Sequence, residues 1–350
     1  MQISSHLPLA PYTSFHCGGE AEHAIVIDDL GQLDTALAST SKIDWVMGYG
    51  SNSVVSDAGL PGTTLLFRSG SIEEQDGLLI ADAGVWWDDL VVYAIEHDLW
   101  GLECMSAIPG GVGAAVVGNI AAYGQAVADT LQWIDVFDAD SHQRKTLRAD
   151  GLGLEYRRST LLQNNRSLVV LRAAFALHGA PQKPLRYESA LVVAREKSYD
   201  VDTLSGRRAT IIGARERAGS LWDYRDAGAS KTAGSFFRNP LVDNETAERI
   251  MSYDETGKSL ELLKKMNAEH GGDMSRVSAA HVLLAAGFHR GQTWGDVRLH
   301  PLHVLKLENA GHATAQEIYD VSKEIVTTVK DKLGVTLEPE VRFLGSFSDR

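Results

Sequence analysis

The sequence predicts a mixed α+β protein of more than one domain. Three observations carry this: short apolar runs bounded by Gly, Asp or Pro in the first half, a change to helical periodicity beyond about Gly213, and a length of 350 residues with 44% hydrophobic content. Single cores rarely grow past roughly 250–300 residues, so the chain divides into two or three units.

Ala24-Ile25-Val26-Ile27, Trp45-Val46-Met47 and Thr63-Thr64-Leu65-Leu66-Phe67 read as strands, with a helical segment at Leu30 to Ala38 between the first two. Leu78-Leu79-Ile80 reads as a further strand. A helix is expected from Trp87 to His97, since Leu90, Val91, Ala94 and Ile95 recur at helical spacing, with Gly101 as its stop signal. Trp133 to Phe137 and Leu168 to Leu177 are strand-like again. Lys183 to Asp226 is more polar, and a boundary is placed within it near Gly213. Helices are then expected at Glu245 to Met251, Ser259 to Met266 and Ser278 to Ala286. The last and clearest opens on the capping-box pattern Thr314-Ala315-Gln316-Glu317, puts Ile318, Val321, Ile325, Val329 and Leu333 on one face, and stops at Gly334.

Charge and cysteine content exclude several classes. Lys plus Arg total 33 against 46 Asp plus Glu, a formal charge of -13 that repels nucleic-acid backbones, although a few Arg residues in one cleft still suit a small anion. Only Cys17 and Cys104 are present, without metal-ligand spacing, so neither a disulfide framework nor a metal site is expected. Met1 to Tyr12 has no basic n-region and no long apolar core, and nowhere is there a run of about 20 apolar residues. The expectation is a cytoplasmic protein without membrane insertion.

Two glycine-rich segments invite a phosphate: Gly48-Tyr49-Gly50-Ser51-Asn52-Ser53 and Ile108-Pro109-Gly110-Gly111-Val112-Gly113. Glycine lets backbone N–H groups approach and point at phosphate oxygens. Neither is a Rossmann fingerprint, because Ser53 and Val116 occupy the place of the third glycine, and neither carries a Walker lysine. Each alone is an ordinary turn; two in one domain suggest a dinucleotide held outside the Rossmann plan. Asn119 to Gly124 supplies small residues able to lie against a flat ring. Tyr156-Arg157-Arg158-Ser159, Gly234-Ser235-Phe236-Phe237-Arg238-Asn239-Pro240 and Glu338-Pro339-Glu340-Val341-Arg342-Phe343 combine charge or a proton donor with aromatic neighbours.

These segments, in this order from Tyr12-Thr13-Ser14-Phe15 to Phe343, resemble the signatures of the UDP-N-acetylenolpyruvoylglucosamine reductases, the MurB family. The resemblance implies the FAD-binding fold of the p-cresol methylhydroxylase and vanillyl-alcohol oxidase type over 1–212, in two subdomains at about 1–68 and 69–212. A separate α+β substrate-binding domain follows over 213–336, with a C-terminal segment, 337–350, returning to the active site. It implies non-covalent FAD and NADPH as hydride donor. The reaction implied is reduction of an enolpyruvyl UDP-sugar to the lactyl ether during peptidoglycan synthesis.

By the same resemblance, Gly48, Tyr49, Gly50, Ser51, Asn52, Ser53, Ile108, Pro109, Gly110, Gly111, Val112 and Gly113 cradle the FAD pyrophosphate. Asn119, Ala122, Tyr123 and Arg215 lie near the flavin. Arg157 and Glu340 stabilise the enolate-like intermediate, and Ser235 donates the proton to the α-carbon. Asn239 and Arg342 bind substrate, and Tyr187 closes over its diphosphate in the subgroup with a mobile tyrosine loop. Glu340 suits a site of developing negative charge either protonated or hydrogen-bonded so as to orient a donor. One departure is plain: many members carry a lysine shortly after the position of Arg215, where this chain has Arg217-Ala218-Gly219, leaving Arg217 or Lys231 as replacements. Two rival readings are an FAD-dependent alcohol or sugar oxidase of the same fold, disfavoured because the chain lacks a Gly-Gly-His segment, and a non-catalytic nucleotide-sugar binding protein, which has no use for Ser235, Arg157 and Glu340 together.

Overall fold

The computed structural model describes the chain except Ser41, Ser69, 156–158, 164–166, Ala227 and Arg350, and the side chains of Leu162, Gln163, Glu269 and His270. The chain forms two compact units: 1–8, 20–51 and 60–229 in the first, and 9–19, 52–59 and 230–350 in the second.

The first unit has two large sheets besides a short hairpin. One is built from strands Gln2–Pro8, Glu20–Ile27, Leu60–Phe67 and Trp45–Met47, in that spatial order. Glu20–Ile27, Leu60–Phe67 and Trp45–Met47 run parallel, and Gln2–Pro8 is antiparallel at one edge. The other is antiparallel, ordered Gln143–Arg148, Leu131–Asp138, Leu168–Phe175, Leu78–Asp82, Ile72–Gln75. Ile25, Ile27, Leu65 and Phe67 of the first sheet share a core with Phe137, Val169 and Leu171 of the second. Helix Trp87–Glu96 buries Trp87, Leu90, Val91 and Ala94 as its spacing predicts, but Gly101 is not its stop. The left-handed residue after the C-cap is Asp98 (φ 55°), and Gly101 faces Thr130 instead.

Two of the longer helices were not legible: Glu188–Lys197 and Leu204–Arg217. The second runs through Gly213, where the sequence placed a boundary, and the first unit continues to Ala229. Its buried face contains Arg207 and Thr210 beside Leu204, Ile211 and Ala214, so hydropathy alone loses the stripe. The strands Gln2–Pro8, Ile72–Gln75 and Gln143–Arg148 were missed for a related reason: they are edge strands with little buried surface.

The second unit packs helices Asn244–Met251, Lys258–His270, Ala279–Ala285 and Ala315–Leu333 with the three-stranded sheet Thr293–Trp294, Val297–His300 and His303–Asn309. Its core takes in Phe15, Phe236, Phe237, Leu299, Leu307 and Ile325. The capping box of the last helix is formed: Glu317 N–H donates to Thr314 Oγ1 at 3.2 Å, and Thr314 N–H to Glu317 Oε2 at 2.8 Å. Gly334 ends it with φ 70°. No helix among the described residues is long and apolar enough to cross a membrane.

Candidate functional site

In the first unit Gly48 to Ser51 lies beside Ile108 to Gly113. Strand Trp45–Met47 delivers Gly48, and Ser51 Oγ donates to the Pro109 carbonyl at 3.0 Å. The second segment is pinned from behind: Trp87 N–H donates to Gly110 O (2.8 Å), Val112 N–H to Val85 O (2.9 Å) and Gly113 N–H to Ala83 O (3.0 Å). Just upstream, Asp88 Oδ1 accepts the Ala107 N–H at 2.6 Å, while Arg208 grips both Asp88 oxygens at 2.7 and 2.8 Å. Burial works to raise the Asp88 carboxyl, but the Arg208 fork and the Ala107 N–H outweigh it and hold it below its ordinary value.

The glycines divide by what surrounds them. A Cβ on Gly48 would meet nothing nearer than Ala114 Cβ at 3.9 Å, and one on Gly110 (φ 131°) would meet only Ser51 Oγ at 3.0 Å. Gly111 and Gly113 are close-packed instead, with Ala83 O at 2.9 Å and Ala83 Cβ at 2.8 Å from the respective Cβ positions. Tyr49 turns its ring inward, against Trp86 and Tyr224, with its hydroxyl 2.8 Å from the Arg68 carbonyl and 2.9 Å from that of Gly84. Burial pushes that phenol up, so its side chain is a structural pin.

Next, Asn119 (φ 41°) is buried and has both ends of its amide engaged, Nδ2 donating to Glu155 O (2.8 Å) and Oδ1 accepting Ala128 N–H (3.1 Å). Ala121–Ala122 and Gln125–Ala126 form a hairpin whose turn is Tyr123 and Gly124. The Tyr123 ring meets that of Tyr187 edge to face at 5.7 Å, and Tyr187 is half exposed. Arg215 sits in the last turn of helix Leu204–Arg217; it donates from NH2 to Ser220 O at 2.8 Å, while its buried Nε has no partner among the described residues. Burial lowers its pKa, with Tyr123 and Asp88 acting in the opposite direction.

In the second unit, the Ser235 segment and the Glu340 segment are hydrogen-bonded together: Glu340 N–H donates to Phe236 O at 2.8 Å, and Arg238 N–H to Glu338 O at 2.9 Å. Ser235 is exposed beside the buried Phe236 and Phe237. Asn52 joins them, its Nδ2 donating to Glu340 O at 3.2 Å and its carbonyl accepting the Arg342 N–H at 3.0 Å. Ser53 is paired with Arg342 in a short parallel ladder, Ser53–Val55 with Arg342–Leu344. The structure therefore brings Ser235, Glu340, Arg342, Asn52 and Ser53 together. Asn239 Oδ1 accepts the Ala279 N–H at 2.9 Å at the start of helix Ala279–Ala285. Arg157 lies outside the described residues. Of the two candidate replacements for the absent lysine, Arg217 is paired with Glu196 on an exposed face, and Lys231 Nζ donates to Gly311 O at 3.3 Å in the second unit.

Sequence reasoning missed Asp88, Arg208, Glu103 and Arg207, all of which hold loops in place. They pair across more than 100 residues, and no local pattern records that. Among the described residues no cluster of three or more His, Cys, Asp or Glu side chains is disposed to hold a metal.

Residues 35–146 match the family described as FAD binding domain, and 226–344 match the family described as UDP-N-acetylenolpyruvoylglucosamine reductase, C-terminal domain. Together these two matches define an FAD-dependent oxidoreductase. The UDP-N-acetylenolpyruvoylglucosamine reductase of Saccharopolyspora erythraea is 34% identical over 346 residues, covering 95% of this chain and 93% of that one. The reductase of the same name from Mycobacterium tuberculosis is 31% identical over 357 residues, covering 98% and 95%. A crystal structure of the Thermus caldophilus reductase shares the fold, with a TM-score of 0.65 at 24% identity over 99% of this chain and 100% of that one. The chain belongs to the UDP-N-acetylenolpyruvoylglucosamine reductase family.

Proposed function

We propose that this chain reduces the enolpyruvyl ether of UDP-N-acetylglucosamine to the lactyl ether, using NADPH and non-covalent FAD, as a cytoplasmic step of peptidoglycan precursor synthesis. Family membership over nearly the whole chain supports the reaction. The observation that carries the site is the Glu340 to Phe236 hydrogen bond, which sets a hydroxyl and a carboxyl segment side by side.

The residues present fit FAD. Gly48 and Gly110 keep an open side that a larger residue would fill, and the buried Arg215 Nε–H has no partner among the described residues. In this reading the backbone of Gly48 to Ser53 and of Ile108 to Gly113 holds the pyrophosphate, and Asn119, Ala122, Tyr123 and Arg215 frame the ring. Bound FAD supplies the hydride relay.

The chain's own residues do the rest. Hydride arriving at the β-carbon pushes charge onto the carboxylate, where Arg157 and Arg342 offer cations, Arg342 from the strand beside Ser53. Ser235 Oγ gives its proton to the α-carbon, and its exposure suits a donor that must be recharged from water. Glu340 orients the donors around it. Tyr187 covers the diphosphate, and Asn239, whose Oδ1 is occupied, acts through Nδ2. The test is to purify the protein, record its flavin absorbance, and follow NADPH oxidation with and without the enolpyruvyl UDP-sugar. A colourless protein that FAD does not reconstitute overturns the proposal.

A further inference from the structure

We propose that the buried ion pair Arg207–Glu103 is a positioning device that holds the Tyr123 hairpin and the approach to Tyr187 in register; the functional part of this inference rests on the reading above. Both side chains are almost wholly buried, and Arg207 NH1 lies 3.2 Å from Glu103 Oε1. Such a pair is a poor way to gain stability, because desolvating two charges offsets most of their attraction, and apolar residues of similar volume serve as well or better.

What apolar residues cannot do is meet the polar groups that converge here. Glu103 Oε2 accepts the Gly101 N–H at 2.8 Å, and Oε1 accepts Gln125 Nε2 at 2.7 Å. Gln125 Oε1 in turn accepts the Cys104 N–H at 2.8 Å, so the hairpin is tied at both ends of one amide. Arg207 donates from Nε to Val201 O (2.8 Å) and from NH1 to Lys183 O (3.1 Å), with its guanidinium 4.9 Å over the Trp100 ring. One salt bridge thus fixes three segments: the hairpin 121–126, the chain leading from Lys183 to Tyr187, and helix Leu204–Arg217, which carries Arg215 in its last turn. The neighbouring Arg208 fixes a fourth through Asp88 and Ala107. Tyr123 and Tyr187, whose rings meet, are reached from opposite ends of the same pair.

The double variant Glu103→Leu/Arg207→Met removes the charges together and leaves neither unpaired. It is expected to fold and to bind FAD. Its 121–126 amides are expected to exchange at least tenfold faster than in the parent, its bound-flavin absorption and visible circular dichroism to change, and KM for the enolpyruvyl substrate to rise at least tenfold with a smaller change in kcat. Parent-like exchange, spectrum and KM in a folded double variant overturn the proposal and leave the pair a packing element. If the double variant does not fold, Gln125→Met decides, since it cuts the hairpin link while both ions stay paired: the same exchange and spectral changes support the device, and their absence overturns it. A parent without FAD would defeat the functional reading, whereas the amide exchange still tests the positioning itself.

Discussion

Glu340 donates its backbone N–H to the carbonyl of Phe236, 2.8 Å away, although 104 positions separate them in sequence. This bond makes Ser235 and Glu340 neighbours through the main chain, so either side chain can be changed without moving the other. Ser235→Ala is expected to leave NADPH reduction of the flavin intact and to slow reoxidation by substrate about 10²–10⁴-fold, as for loss of a positioned general acid. Because Ser235 is exposed, the melting temperature should hardly change. Stopped-flow traces with parent-like reoxidation would remove Ser235 from the mechanism.

The two kinds of glycine give a second expectation. Gly113→Ala presses a methyl against Ala83 Cβ at 2.8 Å, so it should destabilise the fold by about 1–3 kcal/mol and lose FAD only through unfolding. Gly48→Ala places its methyl in open space at a backbone angle any residue adopts. That variant should fold like the parent and bind FAD more weakly. Titration of the apoprotein with FAD, beside thermal melts, separates the two; equal FAD affinity in Gly48→Ala would take that turn out of the cofactor site.

Much of this was legible because it is local. The strands with a buried face, the Thr314 to Glu317 capping box and the stripe Ile318, Val321, Ile325 and Val329 need only neighbours in sequence to be read. The signature segments nominated the candidate site by resemblance, and the structure ties the Asn52 side-chain amide to Glu340 O and the Glu340 N–H to Phe236 O, next to Ser235, by bonds that no spacing shows. Helix Leu204–Arg217 was illegible because an arginine occupies its buried face, and the partner that makes this tolerable, Glu103, is 104 residues away. Tyr49 was read as part of the pyrophosphate cradle; its ring is buried against Trp86, which leaves any such part to its backbone.

His303 gives the protein an acid-sensitive element. Burial first, then the charges of Lys306, Arg290 and His300, lower its pKa to about 4, and its Nδ1 accepts the Leu305 N–H at 3.2 Å, which requires the neutral ring. The unfolded chain protonates this group near 6.5, so the folded state binds fewer protons between that value and about 4. Stability is therefore complete above pH 6.5 and falls as pH drops through the window, by at most about 3 kcal/mol from this group. His303→Gln should flatten the difference in unfolding free energy between pH 7 and pH 4.5 measured by urea titration. An unchanged slope would show that the ring is protonated in the native protein.

Tyr187 offers the sharpest separation of binding from packing. Its ring edge meets Tyr123 at 5.7 Å, and half of the residue is exposed, so removing only the hydroxyl leaves the ring contact in place. If the hydroxyl bonds the substrate diphosphate, Tyr187→Phe loses a hydrogen bond to a charged group, about 1.5–3 kcal/mol, which lowers kcat/KM for the UDP-sugar by about tenfold to a hundredfold. NADPH reduction of the flavin should be untouched, since no diphosphate of the sugar is present in that half-reaction. Tyr187→Ala removes the ring as well and should add a change in the bound-flavin spectrum, because Tyr123 loses its neighbour. A phenylalanine variant with parent-like kcat/KM, beside an alanine variant that is impaired, would confine Tyr187 to supporting Tyr123.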